Sequence, residues 1–463
     1  MAKQLQPGEN KMGVMPVGKL LLNMALPMII AMVVQALYNV VDSYFVSRIS
    51  DDESIKESAI AAMSLAFAVQ NILIGTAAGI GVGVNALLSK SLGEGNQERA
   101  NRTAGNGIVL AVIATAVFML FGAFGSKSYF NLMSDKDLTV KFGTQYISIC
   151  CLASLGIFIE VLCERLLQAS GRTFYSMITQ TTGAIINIIL DPCLIFGLGP
   201  FPKWGIAGAA VATVVGQWVA ASLALFFNIK FNPDVQFSLN CLKPRKDILA
   251  PILFVGIPSI IMTSIGSVMN IGINKILARF NQYGEVPINV FGIYFKLQSF
   301  FFMPLFGLNN ATISIVAYNY GARKAERIAK TLKIACVSAL MFMLLGLAAF
   351  QLIPEVLLGI FDKSETFLTL GSRALRTISL CFPFAAVCIA LGASFQALGN
   401  GIYSTIVSLC RQMLVLLPAA YLLSLSGNVN MVWLAFPIAE FMSLATTVFL
   451  FVRIYRKKIK PIQ

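Results

Sequence analysis

The sequence predicts an all-α polytopic membrane protein with twelve transmembrane helices in two six-helix halves. Three observations carry this. Of its 463 residues, 57% are hydrophobic and only 12% charged, against about 25% charged in soluble proteins. The charges fall in short runs between apolar stretches of roughly 20 residues, the length that crosses a bilayer as a helix. Short motifs also recur in the same order about half a chain apart.

Lipid offers no partner for free N–H and C=O groups, so apolar stretches of this length must be helical. Twelve are expected, at 20–46, 59–88, 105–125, 142–168, 173–198, 205–229, 248–279, 287–316, 333–353, 370–397, 403–425 and 430–452. The fourth and tenth are the least regular, since charges approach their ends. With the N-terminus in the cytoplasm, inside segments carry 22 Lys and Arg and outside loops 11. That excess places both termini in the cytoplasm of a multi-pass protein in the cell membrane. The net charge of +14 is thereby a feature of membrane orientation, and a nucleic-acid partner is not expected. Nine Cys without a CxxC pair, and no His at all, support neither a zinc site nor a disulfide framework. The commonest general base is also missing, so an enzyme is not expected.

The repeats define the domains. Leu26-Pro27-Met28-Ile29-Ile30 is echoed by Ile257-Pro258-Ser259-Ile260-Ile261. Gly93 with Glu98-Arg99 is echoed by Gly321 with Glu326-Arg327, and Gln168-Ala169-Ser170-Gly171 by Gln396-Ala397-Leu398-Gly399. The offsets are 231, 228 and 228. Helix packing alone explains a Gly or Pro here and there; it does not explain a shared offset. Residues 1–230 are expected to form one half, 231–247 a cytoplasmic linker, and 248–463 the other half. Each half holds six spans, so both have the same orientation, related by a pseudo-twofold axis along the membrane normal.

Ionisable groups deep in a span are costly and usually functional. Asp42 lies late in the first span, as a site residue or as an acid snorkelling to the interface. Asn187 and Asp191 stand four apart in the fifth span, hence on one helix face; Ile and Leu fill the interval. The carboxylate must be protonated, paired or bound to a cation, and carboxylate, amide and hydroxyl oxygens together suit a hard cation. A structural hydrogen-bond network is the alternative. Glu160, Glu164, Arg165, Lys275, Lys296, Arg411 and Glu440 form a scattered third group. Glu164 and Arg165 are expected to be structural. Lys296, between Phe295 and Leu297, reads as a buried cavity charge or as half of an interhelical ion pair. On the repeat offsets Asp42 aligns with Ile273, Asn187 with Val415 and Asp191 with Ala419, so these acids belong to the first half only. Pro27 and Pro192 are candidate hinges, because Pro frees a backbone carbonyl.

At these positions the chain resembles the MATE (multidrug and toxic compound extrusion) family along nearly its whole length. The likeness rests on the Pro27 span, Gly93…Glu98-Arg99, Gln168-Ala169-Ser170-Gly171, Asn187…Asp191-Pro192 and Gly205-Ile206-Ala207-Gly208-Ala209-Ala210-Val211-Ala212-Thr213. The resemblance implies two six-helix lobes around a central cavity that alternates between membrane faces. It implies export of amphipathic, often cationic, drug-like compounds in exchange for H⁺ or Na⁺, with no other cofactor and a monomer as working unit. It also implies a cation site, of Na⁺ or H⁺, formed by Asp42, Asn187, Asp191 and Thr213. A second acidic site on the seventh and tenth spans is not expected, since Gly266–Asn274 and Ser379–Ser394 hold no acid. The competing readings are a lipid-linked oligosaccharide flippase from a related branch, a major-facilitator carrier and a passive channel.

Overall fold

A computed structural model of the chain describes residues 10–46, 48–49 and 52–462. Among the described residues ten helices are long and apolar enough to cross a membrane, and two further helix pairs qualify when each bent pair counts as one span. The bent pairs are the fourth span, Asp137–Leu152 with Leu155–Ala169 at 49°, and the tenth, Glu365–Ser379 with Phe382–Ala397 at 44°. Both begin earlier than the apolar runs suggest, because their first turns are amphipathic. Each bend falls where two residues leave the helix, Ala153-Ser154 and Leu380-Cys381. The twelve expected spans therefore correspond, among the described residues, to ten that qualify alone and two that are sharply bent.

The chain divides into two compact units. Among the described residues, one comprises Asn10–Lys11 and Ile30–Ile260; the other comprises Met12–Ile29 and Ile261–Ile462. The division thus falls inside the first and seventh spans, three residues after Pro27 and Pro258 respectively, and not in the segment 231–247. The reason is local packing. In the first unit Asn106 of the third span donates to the carbonyls of Cys241 (3.2 Å) and Lys243 (3.3 Å) and accepts from the backbone N–H of Arg245 (3.0 Å). A Cβ on Gly105 would stand 2.3 Å from the Cys241 carbonyl oxygen, so the backbone is held in direct contact there. The expected linker is accordingly docked on the first unit.

In the second unit the repeat motif performs the matching task. Asn319 donates to the Met12 carbonyl (3.2 Å), Lys324 to that of Gly13 (2.9 Å), and Arg327 to those of Met12 (3.0 Å) and Met15 (2.7 Å). These donors satisfy the carbonyl end of the short helix Lys11–Val14, groups that a helix terminus leaves without internal partners. Leu20, Leu21, Met24, Ala25 and Met28 then join Ile273, Phe291, Tyr294 and Phe382 in one apolar cluster. The first unit has its own cluster, centred on Ile147, Phe158, Leu162, Leu166 and Ala209.

Candidate functional site

The site is built where the fifth span, Thr173–Phe196, crosses the sixth, Ile206–Phe231. The sixth span presents Gly208, Ala212, Gly216, Ala220 and Ala224 at intervals of four, and all are buried. Residues four apart share a helix face, so this stripe lets backbones approach closely. A Cβ on Gly208 would meet the Leu194 carbonyl oxygen at 2.4 Å, and one on Gly216 that of Gly183 at 2.8 Å. Gly183 lies one turn before Asn187, and Thr213 three residues before Gly216. The crossing therefore forces Asn187 against Thr213.

Asn187, Asp191 and Thr213 are 3%, 0% and 6% exposed. With the Asn187 amide oriented to satisfy both its ends, its nitrogen donates to Asp191 Oδ2 at 3.0 Å. Its oxygen then lies 2.9 Å from the Thr213 backbone N and 3.2 Å from Thr213 Oγ1. Thr213 Oγ1 donates to the Ala209 carbonyl at 3.0 Å, a bond that locks the hydroxyl rotor.

From the first span, Val17–Val46, Asp42 brings its carboxyl within hydrogen-bonding reach of Asp191. Tyr38, one turn earlier, brings its hydroxyl within reach of Thr213. The four residues singled out from the sequence are thus brought together. Tyr38 joins them and was not anticipated, since an aromatic hydroxyl carries no charge signal in an apolar run.

Two buried oxygens at this place lack any partner, Oδ1 of Asp42 and Oδ1 of Asp191. Leaving a buried acceptor unmet is costly, and two carboxylates in contact repel unless a proton or cation lies between them. The donor set of carboxylate, amide and hydroxyl oxygens fits a hard monovalent cation or a shared proton. Among the described residues no group of three or more His, Cys, Asp and Glu side chains converges.

The other candidates separate. Pro192 follows Asp191 inside the fifth span, and Pro27 lies inside the first. Lys296 is exposed, a correction to its expected burial between Phe295 and Leu297. Phe295 is exposed as well and only Leu297 of the two neighbours is buried; among the described residues Lys296 forms no ion pair. The interhelical pair belongs to Arg411 and Glu440, 3.2 Å apart. Glu164 is 3% exposed and accepts from Thr179 Oγ1 (3.0 Å) and Gln180 Nε2 (2.6 Å), a hydrogen-bonded acid fully inside the first unit.

The MatE family model matches this chain twice, over residues 27–193 and 258–422. The chain belongs to the MatE family. The two matches begin at Pro27 and Pro258, the 231-residue offset of the first repeat motif. Among curated relatives, a FAD transporter of Shewanella oneidensis is 26% identical over 428 residues, 92% of each chain. The multidrug export protein MepA of Staphylococcus aureus is 25% identical over 423 residues, 90% of each. An outward-facing multidrug resistance MATE family transporter superposes with a TM-score of 0.90 at 24% identity, covering 99% of both chains. At that identity the likeness is one of fold. MatE proteins are multi-pass membrane transporters, not enzymes, and the ten apolar helices and two bent pairs of this chain agree with that.

Proposed function

We propose that this MatE protein is a secondary active multidrug efflux transporter, driven by H⁺ or Na⁺ exchange at Asp42, Asn187, Asp191 and Thr213. The observation that carries the reading is the pair of neighbouring carboxyls whose buried Oδ1 atoms have no partner. A single cation or proton relieves their repulsion. It therefore binds well only when the first, fifth and sixth spans are packed as they are here. An ion shifts a conformational equilibrium by its differential affinity for the two states, and a site assembled from three helices supplies such a difference. Pro27 and Pro192 are the bend points through which that packing changes, and alternating access moves the substrate. The substrates are small amphipathic, drug-like compounds. MepA is named for multidrug export, in line with this reading. The Lys and Arg excess puts both termini in the cytoplasm of a cell-membrane protein, and the monomer is the working unit.

The test is dye efflux from proteoliposomes, with Na⁺ and pH gradients imposed separately. Uphill efflux is expected with one of the gradients and none without. Efflux of equal rate under no gradient would show a passive channel instead.

A further inference from the structure

The second unit holds an unexplained charge pair. Arg411 and Glu440 face each other at 3.2 Å between the eleventh and twelfth spans. Arg411 lies ten residues beyond Gly401, the start of its helix, which is about 15 Å at 1.5 Å per residue. In a hydrocarbon layer about 30 Å thick that is near the middle.

The pair is not a packing requirement. On the 228-residue offset Arg411 corresponds to Gly183 and Glu440 to Ala212. In the first unit that same crossing closes by backbone contact at Gly183 and Gly216. The second unit instead places a charge there, on a stretch wound as a π-helix, Cys410–Leu416. Such π-turns recur at functional sites.

The two partners are unequally sealed. The Glu440 side chain is 7% exposed, that of Arg411 30%. Arginine has five N–H donors in a fixed fork. One reaches Glu440 Oε1; the others have no protein partner among the described residues, and none of them is a sealed, unmet atom. A guanidinium open at mid-span faces water or a ligand, because facing lipid costs several kcal/mol. Tyr294 of the eighth span and Cys381 and Cys388 of the tenth lie around the pair, and each is at most 7% exposed. Among the described residues no second acid pairs with the fork.

We propose that Arg411 is a recognition point for an anionic group, a carboxylate or phosphate, on transported compounds, with Glu440 as the built-in competitor that occupies it in the absence of ligand. Bidentate capture of a planar or tetrahedral oxyanion is what the free face of the fork offers. Glu440 keeps the empty site neutral and sets the affinity, since a ligand must offer more than the single bond it provides. The inference extends the transport reading by naming a substrate class. Its test reads binding, not ion coupling, so the two fail separately.

The experiment uses the full-length protein in detergent and two fluorescent probes of similar size, a fluorescein-type carboxylate and ethidium. Binding is followed by polarisation at fixed ionic strength. Arg411→Gln is expected to weaken carboxylate binding at least tenfold and ethidium binding less than twofold. Arg411→Lys, which keeps the charge but loses the fork, falls between. Glu440→Gln is expected to tighten carboxylate binding several-fold. The double variant Arg411→Gln with Glu440→Gln restores a neutral, hydrogen-bonding pair that folds, and is expected still to bind the carboxylate poorly. Wild-type carboxylate affinity in the double variant, or equal losses for both probes, would show a purely structural pair and overturn the proposal. So would a wild-type protein that does not bind the carboxylate.

Discussion

Asp191→Asn is expected to abolish ion-driven efflux while leaving the protein folded and at normal abundance. The substitution keeps the shape and removes the charge. Asn187 Nδ2 sits 3.0 Å from Asp191 Oδ2, and an Asn carbonyl oxygen still accepts that bond, without the charge assistance of a carboxylate. Thermal stability should therefore hold or rise, because a buried charge with an unpartnered oxygen costs more than a neutral amide. Transport has no such substitute. The neutral side chain offers Asp42 no contacting anion, so the proton or cation loses the feature that made its affinity depend on helix packing. Coupling free energies of about 1–3 kcal/mol correspond to 5–150-fold effects on affinity, and losing that term uncouples the gradient from the substrate. Cells that depend on the transporter should become as drug-sensitive as cells without it, at equal expression by immunoblot. Wild-type resistance in that variant would show that coupling lies elsewhere.

Gly216→Leu should lower stability and coupling together. Even a Cβ would stand 2.8 Å from the Gly183 carbonyl oxygen and 3.3 Å from Asn187 Cβ. Backbone cannot yield there without moving the fifth span off the sixth. Overpacking of this kind costs about 1–3 kcal/mol, and the displacement carries Thr213 away from Asn187. Melting temperature by scanning fluorimetry and dye efflux should fall in parallel. Gly292→Ala is the control. Nothing lies within 4 Å of a Cβ there, and Ala is the better helix former, so neither measurement should fall. A Gly216→Leu protein with unchanged melting temperature would contradict the close crossing.

The two substitutions expose what a sequence conveys. Asp42, Asn187, Asp191 and Thr213 were legible as a group because polar side chains stand out against Ile, Leu and Ala, and because a spacing of four assigns a face. The stripe Gly208–Ala212–Gly216–Ala220 was equally visible, but its partner was not, since small residues do not say which helix they admit. Tyr38 was hidden among apolar neighbours. Lys296 misled for the opposite reason: flanking Phe and Leu suggest burial, yet Phe295 is itself exposed and only Leu297 turns into the core. The pairing of Arg411 with Glu440 was out of reach, because 29 residues and a helix reversal separate them and no local rule links them. Spans four and ten were seen as apolar lengths, but a bend of 49° or 44° comes from two residues leaving the helix, which hydropathy does not register. The division of the units within the first and seventh spans arises from donors such as Asn106 and Arg327, each meeting carbonyls far away in sequence.

Ion movement driven by substrate tests the central claim most directly. Proteoliposomes without any ion gradient are given a steep gradient of a transported dye, and entry of ²²Na⁺ or of protons is followed. Linkage is reciprocal, so wild-type protein should drive one of the two ions against the dye flow, and Asp191→Asn protein should drive neither. Equal substrate-driven ion movement in the two proteins would contradict coupling through Asp42 and Asp191.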